Sequence, residues 1–298
     1  MQAYRMTVAS LSALAVMLIV DSRGPLRPAH ALAAAGPAAQ QLPLAPVRES
    51  GQSVTGAYEG WYQNPDGSFT MLVGYFNRNQ KEILEIPVGP DNQIQPGGPD
   101  QGQPTMFLPR RQWGVFTITV PKDFGDKKLT WTLTANGVTT SIPLSLNPLW
   151  AVEPFKNAAM GNTPPTVKLE PEGTVFQGPP RGIVASYNAK LSAPIALTVW
   201  VTDDMYKDPV ERPRPDAPPV TVFWSKFRGP GAVMFDKARP EVDIADGKAT
   251  MTATFDTPGE YILRAQVNDA SGEGGGGNQC CWTNVHVKVV VSPGPSGP

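Results

Sequence analysis

The stretch Met251-Thr-Ala-Thr-Phe255-Asp-Thr-Pro258-Gly259-Glu-Tyr261-Ile-Leu263-Arg-Ala265-Gln-Val267 decides the fold. Met251, Ala253 and Phe255 alternate with threonines, so they share one face of an extended chain. Pro258-Gly259 then gives a tight turn, because Pro fixes φ and Gly accepts positive φ. Tyr261, Leu263, Ala265 and Val267 resume the alternation. Working outward, Ile195, Leu197, Val199 and Val201 repeat the pattern upstream, and Thr283, Val285, Val287, Val289 and Val291 repeat it downstream. Four period-2 runs in one block predict antiparallel sheets with one buried face.

The same signals occur in an earlier block, 54–146. Val54–Gln63 and Phe69–Arg78 flank the turn Asn64-Pro65-Asp66-Gly67, and Phe69, Met71, Val73 and Tyr75 share a face. Val115–Val120 is a short β-branched run closed by Pro121. Lys128–Ala135 and Val138–Leu144 flank Asn136-Gly137, which suits a type I′ hairpin turn. That turn sets Trp131, Leu133 and Ala135 across from Ile142, Thr140 and Val138. Gly89–Pro104 reads as a loop, and no stretch after the N-terminus holds a helical period. The expected fold is all-β: two antiparallel sandwich domains, 54–146 and 164–291, joined by a linker over 147–163. That linker carries Trp150 and Phe155 and so is expected to pack partly on a domain. Met205–Pro219, with five prolines, is excluded as a central strand.

At the N-terminus, Arg5 precedes the apolar run Met6–Val20, which is short against the ~20 residues needed to span a bilayer. Small-x-small sites follow at Ala29-His30-Ala31 and Ala33-Ala34-Ala35. We read 1–31 as a signal peptide and 32–53 as a flexible leader. An uncleaved signal anchor is the alternative, because Asp21, Arg23 and Arg27 lengthen the gap to those sites. Residues 292–298 read as a disordered polar tail. The chain is then periplasmic or extracellular, with no integral membrane segment once the signal is removed. Charged residues are 17% of the 298, and the net charge is −1, so no global field draws the chain to nucleic acid. Glycine (29) and proline (33) make about a fifth of the chain, below a disordered composition, while 41% hydrophobic residues suffice for a core.

Thr257-Pro258-Gly259-Glu260-Tyr261 resembles the tyrosine corner of immunoglobulin-like sandwiches, where the hydroxyl bonds back to nearby backbone. Further pieces fall in order around it: Asn162-Thr163-Pro164-Pro165, Val201-Thr202-Asp203-Asp204, Val222-Phe223-Trp224-Ser225-Lys226, Gly229–Phe235, and Val267-Asn268-Asp269. Together they resemble a PKD-type domain, an immunoglobulin-like sandwich common in secreted bacterial proteins. The resemblance covers less than half the chain. Met205 stands where that family often has Gly, and the Gly-rich Cys-Cys insert is atypical. The Gly74–Asn79 segment resembles uncharacterised secreted bacterial proteins. The resemblance implies a sandwich fold and a role in display, spacing or adhesion.

Chemistry is sparse. His286 is the one histidine outside the N-terminal segment, and it reads as a surface residue opposite the strand valines. Zinc spacings and the G-x-S-x-G elbow are missing. Glu59, Glu82 and Glu85 could in principle supply a glycosidase-like carboxylate pair, though no spacing marks them. Asp203, Asp204 and Asp269 are candidate calcium ligands at a sandwich tip, against the plainer reading as turn-forming residues. No other cofactor is called for. Tyr62, Tyr75 and Trp113, within the group Tyr58, Trp61, Tyr62, Tyr75, Phe76 and Trp113, are candidate ligand-binding rings. Arg110 and Arg111 stand beside them.

Cys280 and Cys281, the only cysteines, adjoin Trp282 after a Gly-rich loop. Neighbouring Cα atoms lie ~3.8 Å apart, whereas disulfides usually span about 4.4–6.8 Å. A vicinal bridge would therefore be a strained ring that shapes the loop and a recognition surface around Trp282. Metal binding by Cys280, Cys281 and His286 falls short of four ligands. The expected function is a non-catalytic exported binding or structural module whose partner is a cell-envelope protein or polysaccharide. The alternatives are a carbohydrate-binding accessory protein using the exposed aromatics, or a secreted glycosidase-like hydrolase.

Overall fold

The computed structural model describes residues 48–157, 161–204, 220–269 and 281–293. Among them every regular element is a strand except one 3₁₀ turn, Pro148–Trp150. The first block supplies β1 (Val54–Gln63), β2 (Phe69–Asn77), β3 (Leu84–Glu85), β4 (Asn92–Gln95), β5 (Met106–Phe107), β6 (Arg110–Val120), β7 (Lys128–Ala135) and β8 (Val138–Ser145). They form sheets β1-β2-β6 and β4-β7-β8, with β3-β5 as a short ribbon. Met71, Val73 and Tyr75 meet Phe116, Trp131 and Leu133 in one core between the sheets. The Asn136-Gly137 turn takes φ 49° and 74° and sets Trp131 opposite Ile142 and Leu133 opposite Thr140. One part of the loop reading is corrected. Asn92–Gln95, inside Gly89–Pro104, pairs with β7 as β4, because buried Asn92 bonds the Ile86 and Pro104 carbonyls and accepts from the Trp131 indole.

The second block supplies β9 (Thr166–Lys168), β10 (Phe176–Gln177), β11 (Ile183–Lys190), β12 (Ile195–Thr202), β13 (Val220–Arg228), β14 (Val233–Phe235), β15 (Lys248–Phe255), β16 (Gly259–Asp269) and β17 (Trp282–Ser292). One sheet runs β10-β9-β12-β15-β14 and the other β11-β17-β16-β13. The pairing of β11 with β17 is parallel, and the rest are antiparallel. In this order the chain crosses from one sheet to the other between β15 and β16. This is the Greek-key arrangement of an immunoglobulin-like sandwich, and the first block shows a reduced version of it. At the crossing the Tyr261 hydroxyl donates to the Thr257 carbonyl at 2.8 Å, and its ring is fully buried against Phe255. The core joins Leu197, Val199, Met251, Leu263, Val267 and, from β17, Val285, Val287, Val289 and Val291.

The edges of the blocks differ from the expected ones. Arg48–Ser53, read as the end of the leader, already belongs to the fold: Arg48 and Glu49 carbonyls accept from Gln80 and Lys81, and Gln52 N–H donates to Asn79. The connection after β8 lies along β1. The Trp61 indole donates to the Asn147 carbonyl, Val152 N–H donates to the Trp61 carbonyl, and Phe155 packs edge-on to Tyr62 at 5.2 Å. β17 ends at Ser292, the first residue of the expected tail. The signal, most of the leader, the 205–219 loop and the Gly-rich loop lie outside the described residues.

The Tyr261 hydroxyl ties the β15–β16 crossing to its own backbone, so Tyr261→Phe should lower stability by ~1 kcal/mol, the net worth of one hydrogen bond. Urea denaturation of both chains at equal pH measures it; an unchanged midpoint would remove the corner from the account.

Candidate functional site

Both sandwiches fall in one compact unit. The polar face of β16 and β17, expected to meet water, is covered by the β1-β2-β6 sheet instead. The junction starts from two irregularities. The β1–β2 register shifts between Tyr58 and Gly60, and the β2–β6 register shifts between Val73 and Tyr75. Such bulges re-aim a side chain, and here the residue left out of register is Glu59. Its carboxylate is buried and takes the Arg111 guanidinium and the Gly114 N–H, both at 2.7 Å. Gly74 makes room for this pair, since a Cβ there would overlap Glu59, Arg111 and the Gln112 carbonyl.

Gly114 then hands the contact to the second sandwich. Its carbonyl accepts from Asn284 at 2.9 Å, and Asn284 accepts from Arg264 at 2.8 Å. Arg264 also donates to Gln266, Gln112 and the Trp113 carbonyl. The Trp282 ring lies directly over Gly114, whose φ is 51°; any Cβ there would overlap the ring. At the periphery Thr117 donates to the Pro180 carbonyl. Lys226 pairs with Glu85 at 2.6 Å, and Arg228 grips Asp100 through two nitrogens at 2.8 and 3.0 Å. Phe227, from β13, joins the core of the first sandwich, and His286 packs on its ring at 4.3 Å.

Burial sets the electrostatics. Burial pushes the Glu59 carboxyl up to about 7, against the pull of Arg111 and the Gly114 N–H. His286 is pushed down to about 3, by burial first and then by the Arg264 charge. The Tyr75 hydroxyl is pushed upward by complete burial.

The sequence-predicted site residues do not converge. Tyr75 is a core residue, 1% exposed, whose oxygen accepts the Leu108 N–H; it is not a surface ring. Trp282 is also 1% exposed and fills the junction, so the expected recognition surface around it is corrected to an internal contact. Trp113 is half-buried beneath the Arg111 guanidinium at 3.8 Å, and Tyr62 is half-buried against Phe155. His286 is corrected from surface to interior, because the first sandwich covers its face of the sheet. Asp269 is buried and accepts from Asn162 at 2.7 Å, while Asp204 accepts from Thr163. Among the described residues no three His, Cys, Asp or Glu side chains, Asp203, Asp204 and Asp269 included, gather as metal ligands. Cys281 is buried at the start of β17, and Cys280 lies outside the described residues. The residues that reading missed are Arg264, Gln266 and Asn284. Their signal was an amide-rich face with few charges, where a wet face carries Lys and Glu.

No family model matches the sequence, and no curated protein is a significant match. Solved structures do resemble it. A PKD domain from the KIAA 1837 protein is 19% identical over 38% of this chain and 88% of its own, with TM-score 0.23. The D00-D0 domain of intimin is 14% identical over 80% and 99%, with TM-score 0.25. Domains 4–9 of surface layer protein SbsC are 11% identical over 82% and 31%, with TM-score 0.25. The immunoglobulin-like assignment rests on the strand order itself.

Two outcomes test the junction. Gly114→Ala should cost ~1–3 kcal/mol by overpacking against Trp282, read from the denaturation midpoint. The second is a pH dependence with opposing signs. Glu59 holds its proton more tightly folded than unfolded, so its contribution is present below pH 4.5 and lost as pH rises through about 7. His286 holds its proton less tightly folded, so its contribution is present above pH 6.5 and lost as pH falls through about 3. Between pH 4.5 and 6.5 the two offset. As pH falls across that window, Glu59→Gln should lose stability relative to the parent by ~1.4 kcal/mol per pH unit, and His286→Gln should gain as much. Parallel curves for all three chains would contradict the assignment.

Proposed function

We propose that this chain is a non-catalytic structural or adhesion module of the cell envelope, exported by its N-terminal segment. The observation that supports it is the junction built around Gly114. Two immunoglobulin-like sandwiches connected by free chain would reorient; here hydrogen bonds from Asn284 and Arg264 and peripheral ion pairs hold one sheet against the other. A fixed pair of sandwiches transmits force and presents its loops and outer faces at set positions. Chain polarity agrees, since little net charge and many strand residues suit a scaffold.

The hydrolase alternative is weakened by the same contacts. Glu59 is paired with Arg111, Glu85 with Lys226, and Glu82 accepts the Gly51 N–H, so each candidate carboxylate has a structural partner. The sugar-binding alternative, built on first-block aromatics, loses Tyr75 to the core and Tyr62 and Trp113 to packing. A vicinal Cys280–Cys281 bridge belongs to the proposed reading, because export brings both thiols into an oxidising compartment.

The test combines fractionation with calorimetry on the full chain expressed in a bacterium. The expected result is recovery from the periplasm or medium, and a single unfolding transition for both sandwiches. Retention in the cytoplasm, two independent transitions, or glycoside hydrolysis abolished by Glu59→Gln would each overturn the reading.

A further inference from the structure

The outer face of the β9-β12-β15 sheet is a field of threonines with one aromatic residue. Outward positions on these strands are Thr166 and Lys168; Ala196, Thr198, Trp200 and Thr202; and Lys248, Thr250, Thr252 and Thr254. Thr166 bonds Thr202, and Thr198 bonds Thr250, so much of the face satisfies its hydroxyls internally. Trp200 breaks the pattern. It stands directly opposite Lys168 on one neighbouring strand and Lys248 on the other, so a Lys–Trp–Lys row crosses three strands.

A tryptophan on a solvent face keeps apolar surface in contact with water that a threonine would not. Trp200 is half-buried, and the Lys248 ammonium sits 6.0 Å from its ring centroid. Pro171 and Asp246 rim a cavity of about 460 Å³ over this row. That volume lies within the ~300–1,000 Å³ of small-ligand pockets. Lys168 is held at the rim by a 3.0 Å bond to the Pro171 carbonyl, and Asp246 accepts the Lys248 backbone N–H at 2.9 Å. The lining thus holds two cations against one carboxylate.

We propose that this row binds an acidic polysaccharide, with one uronate ring laid on Trp200, its carboxylate taken by one of Lys168 and Lys248, and the carboxylate of a neighbouring uronate taken by the other. A pyranose ring presents an apolar C–H face to an aromatic plane. Carboxylates of successive uronates match the two lysines, whose strands lie about 4.8 Å to either side of the Trp200 strand. Asp246 is placed to accept from ring hydroxyls. The site goes beyond the module reading by assigning what an envelope scaffold holds. It rests on that reading only for the presence of polysaccharide where the protein resides.

The test titrates the full chain with sodium polygalacturonate oligomers and with neutral dextran of equal length, by calorimetry and tryptophan fluorescence at low salt. Binding of polygalacturonate is expected, at least tenfold tighter than dextran and weakened by added salt. Trp200→Ala and the double change Lys168→Gln with Lys248→Gln should each weaken it at least tenfold. The lysine pair is exposed or half-exposed, so that variant keeps the fold, and its melting curve verifies this. No polygalacturonate binding, equal dextran binding, or binding indifferent to both variants would overturn the proposal. The calorimetric transition and cell location that test the module reading are read separately, so either can fail alone.

Discussion

Gly114 contributes one backbone group to each sandwich. Its N–H is taken by Glu59 within the first sandwich, and its carbonyl by Asn284 of the second. A buried peptide must satisfy both groups, and a strand interior normally does so by pairing with its neighbours. Here the register slip opposite Gly74 removes β6 from regular pairing at that point. Side chains must therefore finish the work. The lack of a Cβ lets Trp282 close over the peptide and keep water out. The hydrogen bonds and the ring packing are thus mutually dependent: without the ring, water would compete for the bonds, and without the bonds, the ring would cover unsatisfied polar groups.

The junction is polar yet dry, which explains the opposite displacements of its two titrating groups. Desolvation disfavours the charged form of each, so the carboxyl of Glu59 moves up and the imidazole of His286 moves down. Arg264 is the fixed positive charge between them. It favours the ionised carboxylate and opposes a protonated His286. A neutral imidazole can then stack on Phe227, a ring that belongs to the core of the other sandwich. Polar residues secure the geometry here, and Phe227 and Trp282 supply apolar contact.

Much of the fold was legible. Alternation located the long strands, and Asn136-Gly137 set the β7–β8 register residue for residue. The turn before Tyr261 marked the crossing between sheets, and its hydroxyl bonds where the motif requires. What alternation does not encode is the cover on the polar face of a strand. Arg264, Gln266, Asn284 and His286 occupy outward positions whether those positions meet water or another domain. Their burial depends on Glu59 and Gly114, more than a hundred positions away, brought there by two bulges. Short β4 was hidden by proline and glycine because its pairing depends on Asn92 and the β7 partner, not on its own apolar content. Tyr62, Tyr75, Trp113 and Trp282 looked like binding rings because aromatic residues serve cores and surfaces alike.

The two sheets of the second sandwich consequently have different fates. β11-β17-β16-β13 carries the valine core on one face and the junction on the other, so its residues are constrained twice. Among the described residues β10-β9-β12-β15-β14 buries one face only. Its outer face is free to vary without disturbing either core or junction, and threonine fills most of it at little cost to a strand. Against that background a bulky ring between two cations is a departure that neither the sheet nor the junction requires.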